Sequence, residues 1–546
     1  MKRIGKLAVF ALAGTLTAPA AQDAKTKKGG DVCTPPASRV APSLPAKLLP
    51  GQGTEHIHFP ITTKSQEAQQ FFLQGVAQMH SFWAVEAERS FLQAAALDPE
   101  APMPWWGVAM VAMGDFRPRF QLENYSNLRQ TEMAVRVEDA ARKAQELAAV
   151  PGKATDLEKL YIAAVAARRD IRSKDPDAGY IAGLRDIVAK HPKEVEAKSY
   201  LALHLMRGFV LPAKTPREGS MEAAQLLREM MADFPDHPGV HHYVIHGFEG
   251  STFAKDAWHS CRRYAELATN IPHALHMPGH IWSQTGKWDE AVKSFADAAD
   301  NERKWIGLDA LYSTGHHGHN VHYLSTSLSY RGDFDGAVKE ARHLLSFEEN
   351  PREKAALDNN RTAYRQGWFA LLRALVMHQK WDLILDGTTL PEYNKPREAA
   401  WRQWAVGTAH AAKGDAKKAA AAMAKMDEIF DQYQEQVRQA VPSELRVAKL
   451  ELAAHTVAAR GNVDQALKRL EKVADRQRGL TYSEPPFYPR PVADLIARLA
   501  LKTGKLDLAE KAWKSSLEQF PESAIAQNGL KEVDGKRQTS SGGGGR

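Results

Sequence analysis

The chain has 546 residues, 44% of them hydrophobic and 25% charged, with a formal charge of +7. That composition excludes a disordered or collagen-like polymer and allows several ordinary domains or one long repeat array. Three basic side chains fall within the first 20 residues, and +7 less those three leaves +4 on the remainder, too dilute to point to nucleic acid.

Taken in order, Lys2, Arg3 and Lys6 precede an apolar run from Leu7 to Leu16 and then Ala18-Pro19-Ala20. A basic head, a short apolar core and a small-residue exit make residues 1–20 an expected signal peptide, cleaved after Ala20 or Ala21. The expected location is the periplasm or the exterior of a bacterial cell. The apolar run is too short to span a bilayer, and no later stretch is long enough. Residues 21–60 form an expected extended arm, mobile over 21–55 where Lys, Pro, Gly and Ser dominate. Residues 61–534 carry Ala, Leu, Glu, Lys and Arg at helical periodicity, and 535–546 read as a disordered tail. The two cysteines, Cys33 and Cys261, leave a disulfide and two free thiols equally open.

The helical region repeats. From Ala68 an aromatic stands fourth (Phe71), glycine eighth (Gly75), alanine twentieth (Ala87), and Phe91, Ala94 and Pro99 follow. Gly279, Gly286, Trp288, Ala291, Phe295 and Ala298 return the pattern from Pro272. Fragments recur at Gly332–Phe334–Ala337, Gly407–Gly414–Ala419, Gly461–Ala466 and Gly504–Ala509–Trp513–Pro521. Alternating small and large residues in a unit of about 34 resemble the tetratricopeptide repeat (TPR). The wording around Phe71 and in HALHMPGHIW is also similar to a group of exported bacterial TPR proteins of largely unknown function. The resemblance implies an all-α, right-handed superhelical solenoid of antiparallel helix pairs over residues 61–534. Residues 115–190 hold helices without clean signatures and an insertion near Asp115–Asn127.

Of 21 histidines, twelve lie between His237 and His322. The resemblance implies that the second, fifth, ninth and twelfth residues of each first helix face a concave groove, in keeping with i, i+3, i+4 and i+7 sharing one face. In the unit from Pro238 these are His242, His246 and Glu249. In the unit from Pro272 they are His273, His276 and His280, and in the unit from Gly318 His319 and His322. Stacked helices lie about 8–10 Å apart, so ligands from neighbours can meet at one ion. Imidazole and carboxylate suit a transition metal such as Cu, Fe or Zn, with Mn or Ni also open. The expected metal ligands are His242, His246, Glu249, His276, His280, His319 and His322, with His273, His316 and His317 as second choices. Glu249 is a ligand, an orienter of a histidine or a catalytic general base. His241 is expected in the core, and His259 facing outward or packed. Met103, Trp106, Met110 and Met113, and Trp401 and Trp404, fall at groove positions where they would grip a ligand or simply pack.

No HExxH, phosphate loop, nucleophile elbow or CxxC is present. Two functions therefore stand. One is a metal-dependent enzyme, oxidoreductase or hydrolase, acting on a small molecule or peptide in the groove. The other is a non-catalytic scaffold for a peptide or partner protein.

Overall fold

Where the small and large residues alternate, the chain forms a helix, a tight turn and a second helix packed back on the first. The structure is a computed structural model that describes residues 45–112, 130–168, 176–308, 314–349, 351–357, 362–480, 483 and 485–541. Gln66–His80 packs on Ala84–Leu97, Pro272–Gln284 on Trp288–Leu308 and Thr314–Arg331 on Phe334–Leu345. Further along, Pro396–Ala412 packs on Ala416–Val437, Ser443–Ala459 on Val463–Arg478 and Val492–Lys502 on Leu506–Gln519. Among the described residues the only strands are Phe209–Val210 and Thr215–Pro216, a two-residue antiparallel ladder. The fold is the expected all-α, TPR-like array of helix pairs.

The interlock explains the glycines. A Cβ on Gly279 would stand 2.4 Å from the Phe295 ring, so the histidine-bearing Pro272–Gln284 helix can approach its partner only with glycine there. Gly286, at φ +80°, then turns the chain into Trp288–Leu308 in a conformation other residues resist. Two large apolar cores result, one drawn mainly from Ile57 to Ala337 and the other from Ala341 to Val533.

Two boundaries differ from expectation. Mobility does not extend through the arm to residue 55, because from residue 45 it is fastened to the repeats. Ala46 N–H donates to Gln93 Oε1 (3.0 Å), Leu49 N–H to Gln74 Oε1 (2.6 Å) and Asn270 N–H to the Gly51 carbonyl (2.9 Å). Side-chain amides on the repeat helices thus replace the strand or helix partners that an extended segment lacks. The tail is likewise helical to Ser541. Lys536 Nζ donates to the Leu501 carbonyl (3.1 Å), and Arg537 pairs with Asp507 and Glu510 at 2.6 Å each. The expected signal peptide, Cys33 and the Asp115–Asn127 insertion lie outside the described residues. Cys261 is buried, and desolvation raises its thiol pKa. No helix among the described residues is long and apolar enough to cross a membrane.

Candidate metal centre

Three helices carry the clustered histidines: Pro238–Phe248, Pro272–Gln284 and Thr314–Arg331. Pro238 and Pro272 begin the first two at the position where a missing N–H costs nothing. Pro278, inside the second, lies between His276 and His280 and removes one hydrogen bond of the helix at that point. The histidines are not spread along an open groove. His242, His273, His276, His280, His319 and His322 are all buried, and His246 is half-buried.

His276, His280 and His319 each place a ligand atom within 4.8 Å of the others. Hydrogen bonds fix two of the tautomers. Asn320 donates through Nδ2 to the Phe295 carbonyl (3.1 Å) and to Glu302 Oε2 (3.0 Å), so its Oδ1 is the atom that faces His276 Nδ1 at 2.9 Å. His276 Nδ1 therefore carries the proton and donates. Glu249 Oε1 meets His280 Nδ1 at 2.9 Å and also accepts from Gln284 Nε2 (3.2 Å), which puts the His280 proton on Nδ1 as well. With both rings neutral, the two Nε2 lone pairs face each other at 2.8 Å. Burial, followed by the His280 and His316 rings, holds His276 well below its ordinary pKa. Phe295 and Tyr323 wall the pair, with ring centres 5.0 Å from His276 and 4.8 Å from His280 respectively.

His242, His246 and His273 form a second trio within 4.8 Å. His242 Nδ1 donates to the His80 carbonyl at 2.5 Å, leaving Nε2 bare. Glu249 lies between the trios: its Oε2 is 3.9 Å from His246 Nδ1, while Oε1 holds His280. Glu249 is not the last groove residue of a helix, as expected, but the residue that caps the Pro238–Phe248 helix, with ψ at 135°.

A third group, His80, Glu196 and His237, also lies within 4.8 Å and is wholly buried, yet its chemistry is different. His237 Nδ1 accepts from Val240 N–H (3.2 Å), so Nε2–H donates to Glu196 Oε1 (2.9 Å). His80 lies between Tyr243 Oη (3.0 Å) and Glu196 Oε2 (2.5 Å). Burial alone would raise the Glu196 carboxyl, but the two histidines hold it well below the usual range. Each ring nitrogen has a complementary partner, so this is a structural hydrogen-bond network.

Other expected ligands go elsewhere. His322 turns to the next hairpin, with Nδ1 at 2.5 Å from Gln366 Oε1 and its ring edge-on to Phe369. His316 and His317 both donate through Nδ1 to Glu302, His317 at 3.0 Å, and His317 Nε2 reaches His343 Nε2 at 3.1 Å. His241 packs inside, bonded to Ser260 Oγ and the Pro235 carbonyl, and His259 is exposed. Met103, Trp106 and Met110 are core rather than groove lining: Trp106 packs against Phe59, Phe72 and Tyr161, and Met110 Sδ accepts from Tyr180. Trp401 and Trp404 are also core, packed edge-on to each other and to Tyr488. Met113 lies outside the described residues. Asn320, Glu302 and Glu196 were missed by sequence reasoning. Glu302 left a trace, since Ala291, Phe295, Ala298 and Glu302 form one buried helical stripe in which a carboxylate is out of place.

No family model matches the chain, and neither does any curated protein sequence. Among solved structures it is similar to the APC/C hetero-tetramer Cut9–Hcn1, with 14% identity over 85% of this chain and 76% of that one, at a TM-score of 0.28. It is also similar to yeast Tom70, with 11% identity over 87% and 90% of the two chains and a TM-score of 0.26. The P58(IPK) TPR domain gives 11% identity over 87% and 99%, with a TM-score of 0.22. Likenesses this loose carry no argument about the site, which rests on its own geometry.

Proposed function

We propose that the chain binds a transition-metal ion through His276, His280 and His319 and that this centre serves a metal-dependent reaction, an oxidation or a hydrolysis, on a small molecule. The observation that carries the reading is the convergence of three buried imidazoles within 4.8 Å, two of them with Nε2 atoms 2.8 Å apart and with Asn320 and Glu249 oxygens on their far nitrogens. Two nitrogens on one ion with bonds of about 2.0–2.1 Å stand roughly 2.9–3.4 Å apart, so an ion needs the pair only slightly widened. Oxygen acceptors on the far ring nitrogens are the outer partners that metal-bound histidines usually have. In this reading Glu249 orients His280 rather than acting as a general base, because its Oε1 is engaged by His280 and Gln284.

A bound ion of this kind supplies Lewis acidity toward water or substrate, or a place for oxygen. The protein supplies seclusion. With His276, His280 and His319 only 1%, 4% and 2% exposed, a peptide lying in an open groove would not reach the rings. Elemental analysis of the purified protein, beside a His276→Ala/His280→Ala variant of equal helicity, is the test. A transition metal present in the first and absent from the second is expected. Metal in neither, after loading with Zn, Cu, Fe and Mn, would leave the scaffold reading in its place.

A further inference from the structure

The proton placement that marks the first trio leaves a separate deficit at the second. His273 is 7% exposed, and neither of its ring nitrogens has a hydrogen-bond partner. An imidazole always carries at least one N–H and, when neutral, one lone pair, so both are stranded here. A buried polar group left this way has lost its hydration with no bond in return. His242 adds a second deficit: its Nδ1 proton goes to the His80 carbonyl, and its bare Nε2 is buried with no partner. These two rings and His246 converge within 4.8 Å, from two different helices.

The surroundings are apolar and built for position. The Phe82 ring lies over the trio, with centres 4.5, 5.3 and 5.6 Å from His242, His246 and His273. Phe82 holds φ at +53°, a left-handed conformation that a large side chain adopts only where its surroundings impose it. Tyr264 stacks on the other side of His242, at 5.0 Å and 16°.

Resting on the reading of the first centre, we propose that His242, His246 and His273 hold a second transition-metal ion, and that Glu249 joins the two sites by facing His280 with one carboxylate oxygen and His246 with the other. The trios are close, since the His273 and His276 rings are 6.0 Å apart, yet they use different residues, so each can be emptied separately.

The experiment is titration of the full-length, metal-stripped protein with Co(II), read by visible absorbance and by metal per chain after gel filtration. His273→Ala, His280→Ala and the more conservative His242→Gln are titrated in parallel, each checked for helicity. About two equivalents in the parent and about one in every variant is the expected result. One equivalent in the parent, lost in His280→Ala but kept in His273→Ala and His242→Gln, overturns the second site and leaves the first standing. One equivalent lost in all three variants overturns the proposal in favour of a single shared ion. No Co(II) in the parent removes both centres together. If His273→Ala fails to fold, His242→Gln decides the same question, because it keeps an amide of similar reach at that position.

Discussion

In the His80–Glu196–His237 group, a carboxylate takes a proton bond from each of two imidazoles, and each far nitrogen meets a complementary atom. In the His276–His280–His319 group, three imidazoles are buried as deeply, but two far nitrogens are held by oxygen acceptors and two near ones confront each other. Spacing alone puts both groups among possible ion sites. What separates them is where the protons must sit. A buried carboxylate between two histidines makes a structural knot; a carboxylate outside the three rings, as Glu249 is, leaves near nitrogens facing one another, as the proposed ion site requires.

The largest effect that would break this contrast concerns Glu196. Replacing it by Ala strands two buried imidazole N–H groups, and removing one side of a buried charged network costs about 3–5 kcal/mol. Glu196→Ala is therefore expected to lower stability in denaturant titration by that order while the metal content of the folded protein stays unchanged. If it empties the ion as His276→Ala/His280→Ala does, the two groups are one site and the contrast fails.

A smaller effect sharpens it. Asn320→Ala removes the acceptor that pins the His276 tautomer, without touching a ligand. Outer partners of metal-bound histidines are typically worth 10–100-fold in affinity, so about that loss is expected in a competition titration against a chelator. Unchanged affinity would mean that the 2.8 Å approach of the two rings is an ordinary ring-to-ring hydrogen bond.

These differences bear on how much could be read without coordinates. Helix pairing was legible because the interlock needs glycine opposite phenylalanine, as at Gly279 and Phe295, and that pattern recurs in the sequence. The i, i+4 pairs His242/His246 and His276/His280 were legible from the same register. Burial was not, because neighbouring helices cover the inner surface and no single helix records that. His322 shows the limit of register: it stands three residues beyond His319 on the same helix, yet Gln366 from the next hairpin claims its Nδ1. Asn320, 44 residues from His276, and Glu302, 18 residues from Asn320, became partners only through packing between helices. His273 had ranked behind its neighbours, and only the absence of any partner at its two nitrogens brings it forward.

The smallest effect is a pH dependence that divides the buried imidazoles from the buried carboxylate. Burial, then neighbouring rings, holds His242, His273, His276 and His319 well below the ordinary histidine value, and burial with Arg373 lowers His322 to about 3. On acidification these rings stay neutral in the native protein, whereas in the unfolded chain they take up protons near pH ~6.5. The unfolded state thus binds more protons below that point, so stability from these groups is full above about pH 6.5 and falls as the pH drops toward their native values. Glu196 behaves as a depressed carboxylate: its contribution is present above about pH 4.5 and is lost only as the pH falls through its lowered native value. A decline in the Tm of the metal-free protein between about pH 7 and 5 therefore belongs to the buried imidazoles, His80 of the knot among them, and not to the Glu196 carboxylate. It should be shallower in His322→Gln, which removes one buried ring that lies outside both trios. A Tm that stays level across that interval would place these imidazoles in contact with water, and with it would go the premise that they are held neutral by burial.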